Sequence, residues 1–182
     1  MKYNIENIDS SKGFIFFWGH SCKENIINKS CLSQWYKSDF KDINDIKYNC
    51  AEQFMMYQKA ILFGDNDVAN EILNEIDPKN IKALGRKIKN FNQQEWDRNK
   101  FQIVIAGNLY KFTQNTTLRD ILLNTKDEII AEASPFDKIW GIGLDEKLAE
   151  SGAEWKGENL LGKALMLVRD IIGGNKKVHD KV

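Results

Sequence analysis

Proline is almost missing from this 182-residue chain: Pro78 and Pro135 are the only two, which excludes a proline-rich linker and with it one common mark of a second domain. Histidine is as scarce. His20 lies near the start and His179 near the end, so a histidine-assisted cysteine nucleophile finds no base in the body of the sequence. The three cysteines, Cys22, Cys31 and Cys50, are odd in number and show no close pairing, which excludes a zinc ribbon or a dithiol redox motif and reads as reduced thiols of a cytoplasmic protein. No metal site and no cofactor is expected. Charge of one sign is also lacking: Lys plus Arg and Asp plus Glu are both 26, so no global basic field draws in polyanions, and any phosphate-binding charge must be local. The longest apolar run falls far short of a membrane span, and the polar start from Met1 to Lys12 does not resemble a signal peptide, so no membrane association is expected.

The length suits one ordinary domain with a real core. Phe14 to Trp18 is a short aromatic run closed by Gly19 and reads as a buried strand; from there to Lys47 the chain is polar and irregular. Asn49, with Glu52 three residues later, has the form of a capping box opening a helix that ends at Gly64. A second helix follows from about Asn66, and Asp77-Pro78 starts a short third one that Gly85 stops. Asn92 with Glu95 repeats the cap pattern and opens the longest helix, to about Phe112, weakened modestly by Gly107. Leu118 to Asn124 adds a short helix, Glu128 to Ala133 a strand, and Asn159 caps a terminal helix from Leu160 to Ile172, ended by Gly173-Gly174. The expectation is a mainly α (α+β) fold: one compact, multi-helical domain over residues 14–173 with a few short strands and a disordered tail over 174–182.

Between Ser134 and Glu158 runs a long segment without a clear element, and loops of that length in a compact domain are usually functional. It holds Asp137, Trp140, Gly141, Gly143, Trp155 and Gly157, and leads into Asn159, Leu160, Leu161 and Gly162. A carboxylate, two tryptophans, several glycines and an asparagine before an apolar helix suit a pocket that stacks a flat ring and brings backbone N–H groups to an anion.

These residues resemble the C-terminal signature of the NADAR domain family, whose characterised members hydrolyse N-glycosidic bonds of ribose derivatives. Three further blocks carry the resemblance: Phe17-Trp18 with Leu32-Ser33-Gln34-Trp35-Tyr36; Ala51-Glu52-Gln53-Phe54 through Gln58-Lys59-Ala60; and Leu84-Gly85-Arg86 with Trp96. Together they span roughly Phe16 to Arg169. Two positions depart from the family pattern. Gln34 stands where an asparagine is usual, which keeps the amide but lengthens it, and Gln53 stands where a histidine usually follows the glutamate, so a mechanism needing that histidine does not carry over.

The resemblance implies an N-glycosidase that uses Glu52 and Asp137, two carboxylates the family brings together. Breaking a ribose C1′–N bond builds positive charge on the sugar and negative charge on the departing base, so one carboxylate stabilises the sugar centre or deprotonates water while the other assists the leaving group. The helix dipole at a first-turn position favours the charged form of Glu52, which makes Asp137 the candidate acid. Trp96 and Trp140 are the expected ring contacts, Lys59 and Arg86 the expected phosphate contacts, and Trp18, Ser33, Gln34, Gly141, Asn159 and Gly162 complete the implied substrate site.

Each residue also has a plainer reading. Glu52 at N3 of a capping box is explained by capping alone, Trp96 lies on an apolar helical face, Lys59 and Arg86 are solvated charges by base rate, and Gly157 and Gly162 allow tight turns and close packing. Two substrate classes divide the family: ribosylamino-pyrimidine phosphates of riboflavin biosynthesis, and ADP-ribose on guanine in nucleic acid, removed as an antitoxin or repair activity paired with a toxin. The basic stretch Lys82 to Asn90 is a possible polynucleotide contact or a solvated surface. A non-catalytic ADP-ribose or nucleotide-binding module is the alternative. Two carboxylates beside an anionic ligand speak against it.

Overall fold

The computed structural model of the chain describes residues 10–20 and 27–174. In chain order the elements are β1 (Phe14–Phe17), β2 (Phe40–Lys41), β3 (Lys47–Tyr48), α1 (Ala51–Leu62), α2 (Asn66–Asn74), α3 (Pro78–Gly85), α4 (Gln93–Gln114), α5 (Thr116–Asn124), β4 (Ile129–Glu132), α6 (Glu146–Glu150) and α7 (Leu160–Gly174), with a 3-10 turn at Lys29–Leu32. Helices dominate and the strands are short, so the α+β expectation is met. The residues group into two compact units, one of Gln34–Asn115, the other of the described residues up to Ser33 together with those from Thr116 onward.

The 34–115 unit is built around α1, against which α2, α3 and α4 pack. The β2–β3 hairpin is closed by Asp42: Oδ1 accepts the N–H groups of Asn44 (2.9 Å) and Ile46 (3.0 Å), and Oδ2 accepts the buried Tyr48 hydroxyl at 2.9 Å. Burial and the Asp42 carboxylate both hold that phenol protonated. Phe40, Tyr48 and Phe54 form a core cluster with Tyr57, Leu73, Ile103 and Tyr110 around it. Gly107, read from sequence only as a weak point of the long helix, makes room for a ring, since a Cβ there would lie 2.7 Å from Cδ1 of Phe54. The predicted caps hold at Asn92, which accepts from Glu95 N, and at Asp77 before Pro78, whereas α2 is capped by Asp65, accepting from Val68 N.

In the other unit β1 and β4 pair in parallel, Phe14 with Ile129 through Phe17 with Glu132. The first strand ends one residue earlier than predicted. Gly19, at φ +80°, turns the chain, and Trp18 is 56% exposed rather than buried. Phe16, Ala131, Ala133, Ile142, Leu144 and Ala149 make a core closed by Phe14 and Trp155. Helix α7 packs on β4, and its buried Arg169 reaches Thr125 Oγ1 and Glu128 O, both at 2.8 Å, tying the helix to the turn after α5. The segment predicted to be irregular contains α6, capped by Asp145, and Gly174 belongs to α7 rather than to a tail. Residues 175–182, expected to be disordered, lie outside the described residues, as does Cys22.

Candidate active site

In the 34–115 unit two of the candidate residues, Glu52 and Gln34, meet at the start of α1. Glu52 is 5% exposed, and its N–H donates to Gln34 O at 2.9 Å. The capping box expected at Asn49 and Glu52 is corrected by the structure: Cys50 is the N-cap, without a side-chain capping bond, and Gln53 does the reaching back. Gln53 Oε1 accepts the Asn49 N–H at 2.7 Å, while its Nε2 donates to Ile72 O and Glu75 O, both at 2.9 Å. A side chain with both ends engaged and 2% exposed is a latch between α1 and the end of α2. Glu52 is thereby relieved of the role that best explained it without chemistry.

Lys59, seven residues along α1, donates from Nζ to Gly85 O at 2.8 Å and stands over the rings of Phe91 (4.4 Å) and Trp96 (5.5 Å). Burial holds its ammonium below the ordinary lysine range, and the negative charge of Glu52 works in the opposite direction. Glu52, Lys59 and the 8% exposed Trp96 therefore form one neighbourhood. Arg86 follows Gly85 as the exposed C-cap of α3, its N–H donating to Ala83 O. Within the basic stretch, Lys82 lies over the Trp35 ring at 5.8 Å and Lys89 pairs with Asp67 at 4.0 Å.

Gln34 is 8% exposed and held from outside its own loop: Asn108 Nδ2 donates to its Oε1 at 2.9 Å, leaving Gln34 Nε2 with a long 4.0 Å contact to the Met55 sulfur. One turn beyond Asn108 stands Lys111, fully buried, with Nζ 5.1 Å from the Phe112 ring centroid and 5.7 Å from that of Tyr36. Its charge and that of Glu52 act with opposite signs on Cys50, whose thiol is pushed up to about 11, chiefly by burial. Asn108 and Lys111 are the residues the sequence reading missed. The signal was present, because Val104, Asn108 and Lys111 follow the i, i+4, i+7 register of a buried helical face, where an amide and a lysine are out of place.

In the other unit Asp137 opens an Asx turn: Oδ1 accepts the N–H groups of Ile139 (2.9 Å) and Trp140 (2.8 Å), which fixes a half-buried carboxylate beside a half-buried tryptophan. The N-terminus of α7, expected to bring N–H groups to an anion, is closed by its own loop. The N–H groups of Asn159, Leu160 and Leu161 donate to Gly141 O, Ile139 O and Trp140 O, each at 3.1 Å. Nor does the Asn159 side chain cap the helix. Asn159 sits at φ +53°, and its amide bridges the backbone of β4, accepting from Glu132 N (3.1 Å) and donating to Ile130 O (2.9 Å). Gly162 lets α7 approach that strand, since a Cβ would fall 2.1 Å from Ile130 O. Gly141 is confined in the same way, since a Cβ there would fall 2.9 Å from Asp137 O and Glu132 O. These three residues hold the 137–141 loop in place. Ser33 ends the 3-10 turn, its N–H donating to Ser30 O, and is 8% exposed. Among the described residues no group of three or more His, Cys, Asp or Glu side chains is placed to hold a metal ion, and no helix is long and apolar enough to cross a membrane.

Comparison with known proteins places the chain in a family. The chain is 44% identical over 163 residues to N-glycosidase R617 of Acanthamoeba polyphaga mimivirus, covering 86% of this chain and 95% of that protein. It is 37% identical over 179 residues to Protein irg-1 of Caenorhabditis elegans, covering 89% and 81%. The NMR structure of the E. coli protein YbiA superposes with a TM-score of 0.73 at 24% identity, covering 91% of this chain and 88% of that one, which shows a shared fold. The NADAR domain matches residues 16–173, across both units, and the chain belongs to the NADAR domain family.

Proposed function

We propose that this N-glycosidase cleaves the C1′–N bond of a ribose-containing nucleotide derivative by hydrolysis, with Glu52 and Asp137 as its working carboxylates. The observation that carries the reading is the state of Glu52: a 5% exposed carboxylate in the first turn of α1, relieved of capping by Gln53, with the Lys59 ammonium and the Trp96 ring in its neighbourhood. A carboxylate held so deep beside a lysine ammonium is a candidate for chemistry. In the first turn of α1, with the Lys59 ammonium near, it is placed to stabilise the cationic sugar or to take a proton from water. Asp137, oriented by two backbone N–H groups through Oδ1, offers Oδ2 to the leaving base.

Lys59 contributes a cation for phosphate, Trp96 and Trp140 the ring contacts, and Gln34 an amide donor oriented by Asn108. Cys31 and Cys50 are free thiols, which fits the reducing cytoplasm as the place of action. The substrate is drawn from two classes, a ribosylamino-pyrimidine 5′-phosphate or guanine-linked ADP-ribose in nucleic acid, and only the second entails an antitoxin role opposite an ADP-ribosylating toxin. The test is hydrolysis of both substrates side by side by wild type, Glu52→Ala and Asp137→Ala, with product base quantified. Turnover of one substrate by wild type, lost about 10²–10⁴-fold in both variants while circular dichroism is unchanged, is the expected result. Tight ADP-ribose binding without turnover of either substrate makes the chain a reader instead.

A further inference from the structure

The 34–115 unit holds a cleft none of whose lining residues belongs to the proposed N-glycosidase site. Its volume, about 600 Å³, lies between the β2–β3 hairpin, the end of α2 with the segment after it, and the end of α4, and falls within the range of about 300–1,000 Å³ usual for small-molecule sites. The buried rings of Phe40 and Tyr48, with centroids 5.6 Å apart, and Leu73 give it an apolar floor. Ile76 adds an apolar wall although it is 82% exposed.

Both walls are pinned by hydrogen bonds, so the cleft is formed before anything enters it. Glu75 Oε1 accepts the N–H groups of Ile76 (2.8 Å) and Asp77 (2.9 Å), and Asn49 Nδ2 donates to Glu75 O at 3.3 Å, which fixes the segment that presents Ile76. Opposite, the Gln114 amide brackets Lys41: Oε1 accepts its N–H at 2.9 Å and Nε2 donates to its carbonyl at 2.7 Å. A preformed site spends little of its binding energy on ordering itself.

The rim carries charges of both signs. Lys41 and Lys47 are register partners, a like-charged pair across the hairpin, and Lys41 is paired with Asp45 at 3.2 Å. That leaves Lys47 and Asp39, both exposed, both lining the cleft, and neither in an ion pair among the described residues. A simple anion meets the charge of Asp39 here, and a simple cation meets the lysines. A zwitterion with an apolar side chain matches both signs and the floor.

We propose that this cleft binds a free α-amino acid with a large apolar side chain, its ammonium facing Asp39, its carboxylate facing Lys47 and its side chain against Leu73 and Ile76. Gln53 also lines the cleft, so the ligand rests on the latch that joins α1 to the end of α2.

The test is a titration of the isotope-labelled full chain with L-phenylalanine, followed by NMR. Saturable shifts of the Ile76 N–H and of the Asn49 and Gln53 side-chain amides, with a Kd of about 0.1–1 mM, are expected. Hydrocinnamate lacks the ammonium, phenethylamine the carboxylate and glycine the side chain; each should bind at least about threefold more weakly. Asp39→Asn and Lys47→Ala, both at exposed positions, should weaken L-phenylalanine by about three- to tenfold. The proposal is overturned by the absence of a saturable shift at about ten times the upper Kd, by equal binding of any one analogue, or by equal binding to either variant. Shifts confined to Glu52, Lys59 and Trp96 overturn it as well. No step of the measurement depends on hydrolysis, so failure of the N-glycosidase reading leaves its outcome unaffected.

Discussion

The two carboxylates are held by different kinds of structure. Around Glu52 the work is done by side chains: Gln53 latches α1 to α2, Asn108 orients Gln34, Lys59 spans Gly85 and two rings, and Lys111 is wholly buried. Around Asp137 it is done by backbone. Carbonyls 139, 140 and 141 take the first N–H groups of α7, and glycines clear the space in which main chain meets main chain. The first arrangement can be altered one functional group at a time, whereas the second tolerates almost no added atom.

Gly162→Ala should produce the largest effect, because its Cβ would lie 2.1 Å from a carbonyl oxygen of β4 and neither backbone can retreat without breaking the Asn159 bridge. A loss of about 3 kcal/mol or more is expected, read as a large drop in melting temperature or as insoluble protein. A melting temperature within a degree or two of wild type would show that the loop is less rigid than its contacts imply.

Glu52→Gln should do the opposite, keeping the fold and lowering kcat about 10²–10⁴-fold. Joint loss of stability and activity would return Glu52 to a structural role. Gln53→Ala separates the neighbours: it takes the acceptor from the Asn49 N–H and leaves the carbonyls of Ile72 and Glu75 with only their longer 3.3 Å donors, Glu75 N and Asn49 Nδ2, at a cost of about 1–3 kcal/mol in urea unfolding, while kcat per folded molecule stays near wild type.

The smallest effect concerns Lys59. Its folded-state pKa lies below the unfolded value, so above the folded pKa the unfolded chain binds more protons than the folded one. Stability therefore rises gently as pH climbs from the folded pKa toward the ordinary lysine value, and Lys59→Met should flatten that rise in urea titrations carried up to pH 10.5. An identical slope in the variant would assign the effect elsewhere.

What the sequence disclosed and what it hid follow the same division. Caps at Asp77 and Asn92, the stop at Gly85 and the apolar strand Ile129–Glu132 are local events, and local rules found them. The capping role was misassigned by one residue because Glu52 and Gln53 are both competent and only the tertiary partner, the end of α2, selects Gln53. Asn159 looked like a cap for the same reason; its left-handed backbone and its bond to Ile130 O come from a strand far away in sequence. Lys59 and Trp96 were drawn from family resemblance, and the structure joins them through a cation over a ring. Lys111 escaped because its helix was read for the apolar residues it contains rather than for the charged residue that interrupts them.

The division of the chain has a consequence for synthesis. Gln34–Asn115 is an uninterrupted stretch, and its hairpin and four helices find their partners within it, so it can fold while the ribosome is still adding residues. The other unit must wait. Phe14 has no partner until Ile129 emerges, and the carbonyls of Ile139, Trp140 and Gly141 wait still longer for the first turn of α7. During that interval β1 is a short aromatic strand with both edges unpaired, which makes the nascent chain most prone to aggregation before the segment carrying Asp137 has been made.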